Sequence, residues 1–273
     1  MSESEQKSSG LRERFISAVV LAPPVLAALY FGGYYFQALA LLITALMAWE
    51  WCGLVTGQKT GKGSLALIVA SLVCVILSIL MTQTHGLVSL LVLSLLLYGL
   101  GRSFYSHRAF WYLVGLPYIV LPMIALVSIR EVEGQGMAYI VWLLLAVWAT
   151  DVGAYFAGKT IGGPKLAPKI SPKKTWAGLI GGMVCSGAVA AGVGAYFNLG
   201  TPVFLAGFGA FLAVIAQVGD FFESWVKRSF NAKDASNLIP GHGGVLDRVD
   251  GLLPVAVIMW VALASNLFGG AGP

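Results

Sequence analysis

VFLAGFGAFLAVIAQVGDFFESWVK, residues 203–227, decides how the rest of the chain is read. Residues 203–218 carry no charge, and then Asp220, Glu223, Ser224 and Lys227 recur at i, i+3, i+4 and i+7, the spacing of one helical face. An apolar run that turns into a one-sided polar helix behaves like a membrane span leaving the hydrocarbon. Phe221, Phe222, Trp225 and Val226 cover the remaining surface, as suits a helix lying against both protein and lipid. The stripe fits either a snorkelling helix end or a carboxylate site at the membrane surface.

The whole chain supports the membrane reading. Its 273 residues are 58% hydrophobic and only 11% charged, about half the charged share of a soluble domain. Further apolar runs at 15–31, 35–56, 65–81, 87–101, 111–129, 139–157, 176–197 and 252–268 bring the expected transmembrane helices to nine, each near the ~20 residues needed to cross the hydrocarbon. The fold class is therefore all-α and polytopic. It comprises a tail over 1–14, about five helices over 15–130, and a C-terminal region over 131–273 whose cytoplasmic loops are 158–175 and 219–251. The run 15–31 lacks a small-x-small cleavage site and leads into many more spans, so it reads as a first helix, kinked at Pro23 and Pro24, and not as a signal peptide.

The +5 balance is informative by location. With the N-terminus inside, Lys7, Arg12, Arg14, Lys59, Lys62, Arg102, Arg108, Lys159, Lys165, Lys169, Lys173, Lys174, Lys227, Arg228, Lys233 and Arg248 fall on the cytoplasmic side, and only Arg130 falls outside. The odd number of spans leaves the tail 269–273 outside. Charge of this kind marks topology and implies no nucleic-acid partner. Cys52, Cys74 and Cys185 lie inside apolar runs and read as small core residues, with no disulfide or metal framework. No internal repeat or Pro- or Ser-rich linker is evident.

Three stretches carry the chemistry. Ile239-Pro240-Gly241-His242-Gly243-Gly244 is a turn suited to close backbone approach to an anion. Val245 to Asp250 can start a helix in which Asp247 and Asp250 share a face; two close carboxylates favour a cation between them, and hard oxygen ligands point to magnesium. The alternative is a pair of acids favoured by the helix dipole. Asp151, near the cytoplasmic end of the sixth span, is a functional candidate because a carboxylate there is costly unless paired or wet. The loop after it carries Lys165, Lys169, Lys173, Lys174 and Thr175, with lipid attraction the plainer reading for the first two. The run from Thr175 to Phe197, with Gly178 and Gly182 four apart, reads as a packing face. Glu50, between Trp49 and Trp51, is expected to find a buried partner in the bundle; His85 and His107 read as loop residues.

These residues carry a family resemblance. Ser224-x-Val226-Lys227-Arg228, Lys233-Asp234-x-Ser236 and Ile239-Pro240-x-His242-Gly243-Gly244-Val245-x-Asp247-Arg248-Val249-Asp250 resemble, position by position, the signature of phosphatidate cytidylyltransferase, the CDP-diacylglycerol synthase family. Lys169-Ile170-Ser171-Pro172-x-Lys174-Thr175-Trp176-x-Gly178 and Asp151-x-Gly153-Ala154-Tyr155 are similar to it too, while the N-terminal half matches in hydropathy alone. Val152 and Gly251 depart from it, standing where hydroxyl residues are common.

The resemblance implies a nucleotidyltransferase that joins CTP and phosphatidate into CDP-diacylglycerol and pyrophosphate at the cytoplasmic face of a bacterial inner membrane, with magnesium and, as a second cation, potassium. Asp220, Asp247 and Asp250 are expected to hold the metal, with Lys227 and Arg248 completing the catalytic set. Asp151, Lys173, Lys174, Thr175, Ser224, Arg228, Lys233, Asp234, His242, Gly243 and Gly244 are expected to bind substrates. The oligomeric state stays open, a homodimer included. A transporter is disfavoured because most charge lies outside the spans, and a CDP-alcohol phosphotransferase because its D-G-x-x-A-R start is absent. A lipid-binding scaffold leaves paired acids beside phosphate-binding bases without a purpose.

Overall fold

A helix satisfies its own backbone polar groups, which is why an apolar chain in lipid adopts it. The computed structural model of the protein describes residues 3–104 and 108–268. Within them every expected run is helical: α1 (Glu3–Phe31), α2 (Gly33–Thr56), α3 (Lys62–Leu80), α4 (Gln83–Phe104), α5 (Ala109–Arg130), α6 (Gly136–Thr160), α7 (Trp176–Tyr196), α8 (Pro202–Ser229) and α10 (Leu252–Ala264), with a short α9 (Leu246–Val249) before the last. Seven of these, α2 to α8, are long and apolar enough to cross a membrane, and they make the chain an integral membrane protein. The 13 residues of α10 span only ~20 Å, and the apolar part of α1 is the similarly short Val19–Phe31. Seven of the nine expected spans therefore qualify by length. α1 is a single helical element through Pro23 and Pro24. His107 and the tail 269–273 lie outside the described residues.

Two features were not expected from sequence. The loop 158–175 contains an antiparallel hairpin, β1 (Lys165–Ala167) and β2 (Ser171–Thr175), in register Lys165 to Thr175 and Ala167 to Ser171. The helix expected to run from Val245 into the last span is broken at Asp250 and Gly251, between α9 and α10.

The chain divides into two compact units. The first comprises Met1–Val127 and Phe230–Val249. There α2 packs on α1 and α3, α3 on α4, and α9 on α2. Trp51 is fully buried, its indole N–H donating to the Trp111 carbonyl at 2.9 Å. Gly115 gives the indole its space: a Cβ there would stand 2.1 Å from Trp51 Nε1. Phe230 packs edge-on against Trp111 at 5.0 Å, and Arg108, which donates to the Val55 carbonyl at 2.8 Å, lies over the Phe230 ring. The stretch after α8, expected from sequence as part of the C-terminal region, thus groups with the N-terminal helices. Cys52 and Cys74 are buried thiols of this core, as expected. Leu65 and Leu91 are 63% and 65% exposed, apolar surface that only lipid would solvate without penalty.

The second unit comprises Ser128–Ser229 and Asp250–Pro273. In it α7 lies between α6 and α8, and α10 packs on α8. Small residues set the approach, because lipid offers no hydrophobic drive for helix association and contact must come from close packing. Gly178 and Gly182 face the backbone of α6, as their spacing predicts, and the Ser186 hydroxyl donates to the Gly209 carbonyl at 2.9 Å. A Cβ on Gly153 would meet Gly181 O at 2.6 Å and Cys185 Cβ at 2.7 Å. Gly153→Ala is accordingly expected to cost about 1 to 3 kcal/mol, seen as a lower unfolding midpoint in detergent; an unchanged midpoint would mean that α6 and α7 part without penalty.

Candidate functional site

In the second unit, α8 carries its polar stripe past the apolar stretch as the periodicity predicts. Lys227 Nζ donates to Glu223 Oε2 at 2.7 Å, and the Ser224 hydroxyl donates to Asp220 Oδ1 at 3.2 Å. From the end of the hairpin, Lys174 forms an ion pair with Asp220 and also lies over the Phe221 ring, 4.5 Å from its centroid. Thr175 follows as the N-cap of α7, its hydroxyl accepting from Gly178 N at 3.1 Å. The cap ends the strand and starts the helix, and so fixes where the Lys174 ammonium can reach.

Asp250 joins this cluster because α10 packs on α8. Gly219 permits the approach, since a Cβ there would stand 2.4 Å from the Asp250 carbonyl oxygen. Burial, and next the Asp220 carboxylate, push the Asp250 carboxyl up to about 6; the Gly251 N–H, which donates to Asp250 Oδ1 at 2.8 Å, Glu223 and Lys227 oppose the rise. Two carboxylates thus sit close enough to resist double ionisation. A cavity of about 220 Å³ is lined by Asp220 together with Asp151, Tyr155, Lys173, Lys174 and Gln217, among others. Asp151 and Lys173 are exposed, and Arg228 is exposed in the last turn of α8.

The first unit holds the other expected residues in one loop. Ile239 N donates to Gly243 O at 2.8 Å and Gly243 N to Ile239 O at 3.1 Å, closing a tight turn. Gly241 and Gly243 have φ of 73° and 89°, backbone that side chains rarely tolerate. Asp247 Oδ2 accepts from the Ala235 and Gly244 amides, each at 2.8 Å. A polar cavity of about 420 Å³ is lined here by Lys233, Asp234, Asn237, His242 and Arg248, with the glycine turn as its wall. His242 Nδ1 is buried and makes no hydrogen bond among the described residues.

The structure therefore gathers Lys174, Asp220, Ser224, Lys227 and Asp250 in one unit, and Lys233, Asp234, His242, Gly243, Gly244, Asp247 and Arg248 in the other. Among the described residues no group of three or more His, Cys, Asp or Glu side chains forms a ready-made metal cage. Two acids to which the sequence assigned no site role stand inside these networks. Glu223, counted there only as part of a stripe, is 1% exposed between Lys227 and Asp250. Its spacing from Asp220 and Lys227 was the available signal. Glu50 is fully buried, and its partner, expected within the bundle, is the loop itself: Oε1 accepts from the Ser236 hydroxyl at 2.7 Å and Val245 N at 2.8 Å, and Oε2 from Leu246 N at 2.8 Å. No local pattern marks a contact between residues this far apart in sequence.

A sequence model of the cytidylyltransferase family matches residues 12–266. The chain is 38% identical over 261 residues to the phosphatidate cytidylyltransferase of Brucella suis biovar 1, covering 93% of both proteins. It is 36% identical over 269 residues to the phosphatidate cytidylyltransferase of Pseudomonas aeruginosa, covering 92% of this chain and 98% of that protein. The protein of the same name from Bacillus subtilis is 41% identical over 139 residues, about half of each chain.

Proposed function

The chain belongs to the cytidylyltransferase family, and from that premise we propose that it transfers the CMP group of CTP to phosphatidate. A phosphate oxygen of the lipid attacks the α-phosphorus of CTP, the bond from that phosphorus to the β-phosphate oxygen breaks, and pyrophosphate leaves as CDP-diacylglycerol forms. The observation that carries this reading is the Lys174, Asp220, Asp250, Glu223 and Lys227 cluster at the end of a membrane span, in a chain whose relatives of that name align over nearly its whole length.

No protein nucleophile is needed, since the lipid phosphate attacks. What the protein must supply is position and fixed charge. Lys174, held on Asp220, and Lys227, held on Glu223, keep two ammonium groups at set places beside the carboxylates. Arg248, Lys233 and His242 line the polar cavity of the other unit and are assigned to phosphate and nucleotide contacts, with Arg the better bidentate clamp. Arg228, Lys173 and Asp151 keep their expected substrate contacts as part of the proposal.

Magnesium fits the residues present. It is ordinarily held through one or two carboxylates together with substrate phosphates, and Asp220 and Asp250 offer such a pair, Asp250 already pushed towards its neutral form by burial and then by Asp220. Asp247 keeps the metal role expected of it as part of the proposal, and potassium belongs to the same proposal with no residue assigned. When bound, magnesium would supply neutralisation of the pyrophosphate charge. The bacterial relatives and the one-sided distribution of lysine and arginine support a bacterial inner membrane with the loops 158–175 and 219–251 on the cytoplasmic side.

The test is conversion of CTP and phosphatidate to CDP-diacylglycerol and pyrophosphate by the purified protein in detergent micelles with magnesium. Absence of product under these conditions would overturn the proposal. Lys174→Ala is expected to raise the KM for CTP ~10- to 100-fold, the worth of a charge-assisted contact. Unchanged kinetics would confine the hairpin to contact with lipid headgroups.

A further inference from the structure

A carboxylate in the body of a membrane-spanning helix is costly unless something compensates it. Glu50, in α2, is compensated from an unexpected place. Among the described residues, all three hydrogen bonds it accepts, from Ser236, Val245 and Leu246, come from the loop that carries Asp247 and Arg248. Asp247 grips the same loop at the neighbouring residues, Ala235 and Gly244. The two carboxylates thus clasp the same two segments of the loop, Glu50 at residues 236, 245 and 246, and Asp247 at 235 and 244.

The geometry is specific to a carboxylate. Both oxygens of Glu50 accept, so an amide of the same shape would turn an N–H₂ towards a donor. Gly244 belongs to the arrangement too: a Cβ on it would stand 2.7 Å from Glu50 Oε1 and 2.8 Å from Oε2. The absent side chain at this position is therefore explained by the buried acid behind it. Asn237, His242 and Arg248 line the cavity in the same loop, so its anchoring sets where these groups stand.

We infer that Glu50 is a positioning residue for the phosphate-handling loop, acting through the placement of Asp247 and Arg248 and touching neither substrate. The kinetic part of this inference rests on the proposed cytidylyl transfer; the anchoring does not. Two measurements on the full chain in detergent micelles test it. By hydrogen exchange, Glu50→Gln is expected to speed exchange of the Gly244, Val245 and Leu246 amides ~10-fold or more, with α6 to α8 unchanged. Equal protection in the variant would overturn the anchoring.

By kinetics, Glu50→Gln is expected to lower kcat/KM ~30-fold or more in the wild-type background, but by less than ~3-fold in an Asp247→Asn background, because a residue acting through another loses its effect when that other is gone. Full multiplication of the two losses would overturn the positioning role and leave Glu50 a satisfied core acid. Should Glu50→Gln fail to fold, Gly244→Ala presses on the same contact from the loop side and is expected to give the same pattern in both measurements; normal exchange and normal rate would sink the inference. A wild-type protein without cytidylyl transfer would remove the proposed function alone, with the exchange result still deciding the anchoring.

Discussion

Replacing Asp250 by Asn is expected to lower turnover ~10²- to 10³-fold or more, the scale of losing one fixed electrostatic partner of a reacting phosphate, while leaving the helices folded. The substitution is close to a pure change of charge. The Gly251 N–H that donates to Asp250 Oδ1 can donate equally to the amide oxygen of Asn, and the volume hardly changes. Burial and Asp220 already disfavour the charged form, so its removal relieves repulsion in the cluster and does not threaten the contact of α10 with α8. Initial rates at saturating CTP and phosphatidate, read beside the unfolding midpoint in detergent, separate the two effects. A variant that turns over at close to the wild-type rate would remove Asp250 from the site; one that fails to fold would show the carboxylate to be structural.

Lys227→Met is expected to act first on stability, at a cost of about 3 to 5 kcal/mol. The Lys227 and Glu223 side chains are 11% and 2% exposed and lie 2.7 Å apart. Removing the lysine strands a buried carboxylate beside a second one, Asp250, which is the costly half of breaking such a pair. The double variant Glu223→Gln, Lys227→Met removes both charges of the pair together and is expected to regain part of the stability, Asp250 still losing the Lys227 charge beside it. Activity is not expected to return with it, since the double variant still lacks the ammonium assigned to the phosphates. Unfolding midpoints and rates of the single and double variants check this together. A single variant as stable as wild type would mean that water screens the pair, and a double variant that recovers its rate would free Lys227 from any part in the chemistry.

Some of this was legible in residue order. The stretch 203–227 announced a helix that changes from apolar to one-sided polar, and α8 carries Asp220, Glu223, Ser224 and Lys227 as that spacing requires. Gly178 and Gly182 announced a close helix contact, and Gly158, Thr150 and Ala154 of α6 supply it. The motif from Ser224 to Asp250 announced the family. Length was legible less well: the run 252–268 contains a helix of only 13 residues, because the helix ends at Ala264 and residues 265–268 form turns. Thr175 shows a further limit. Its hydroxyl caps α7, a use that depends on a hairpin the sequence did not suggest, while the residue also lines the cavity that holds Asp220.

What the sequence by itself determined is the helical skeleton and the chemical alphabet of the site. Both are local: in a membrane each helix must satisfy its own backbone, so apolar runs and their periodicity report it directly. What only the tertiary structure decided is which charges are partners. Glu50 meets Ser236, Val245 and Leu246, and Glu223 meets Asp250, because a buried carboxylate must be compensated by whatever donors the fold brings within hydrogen-bond reach. That requirement acts through space, and no spacing along the chain records it.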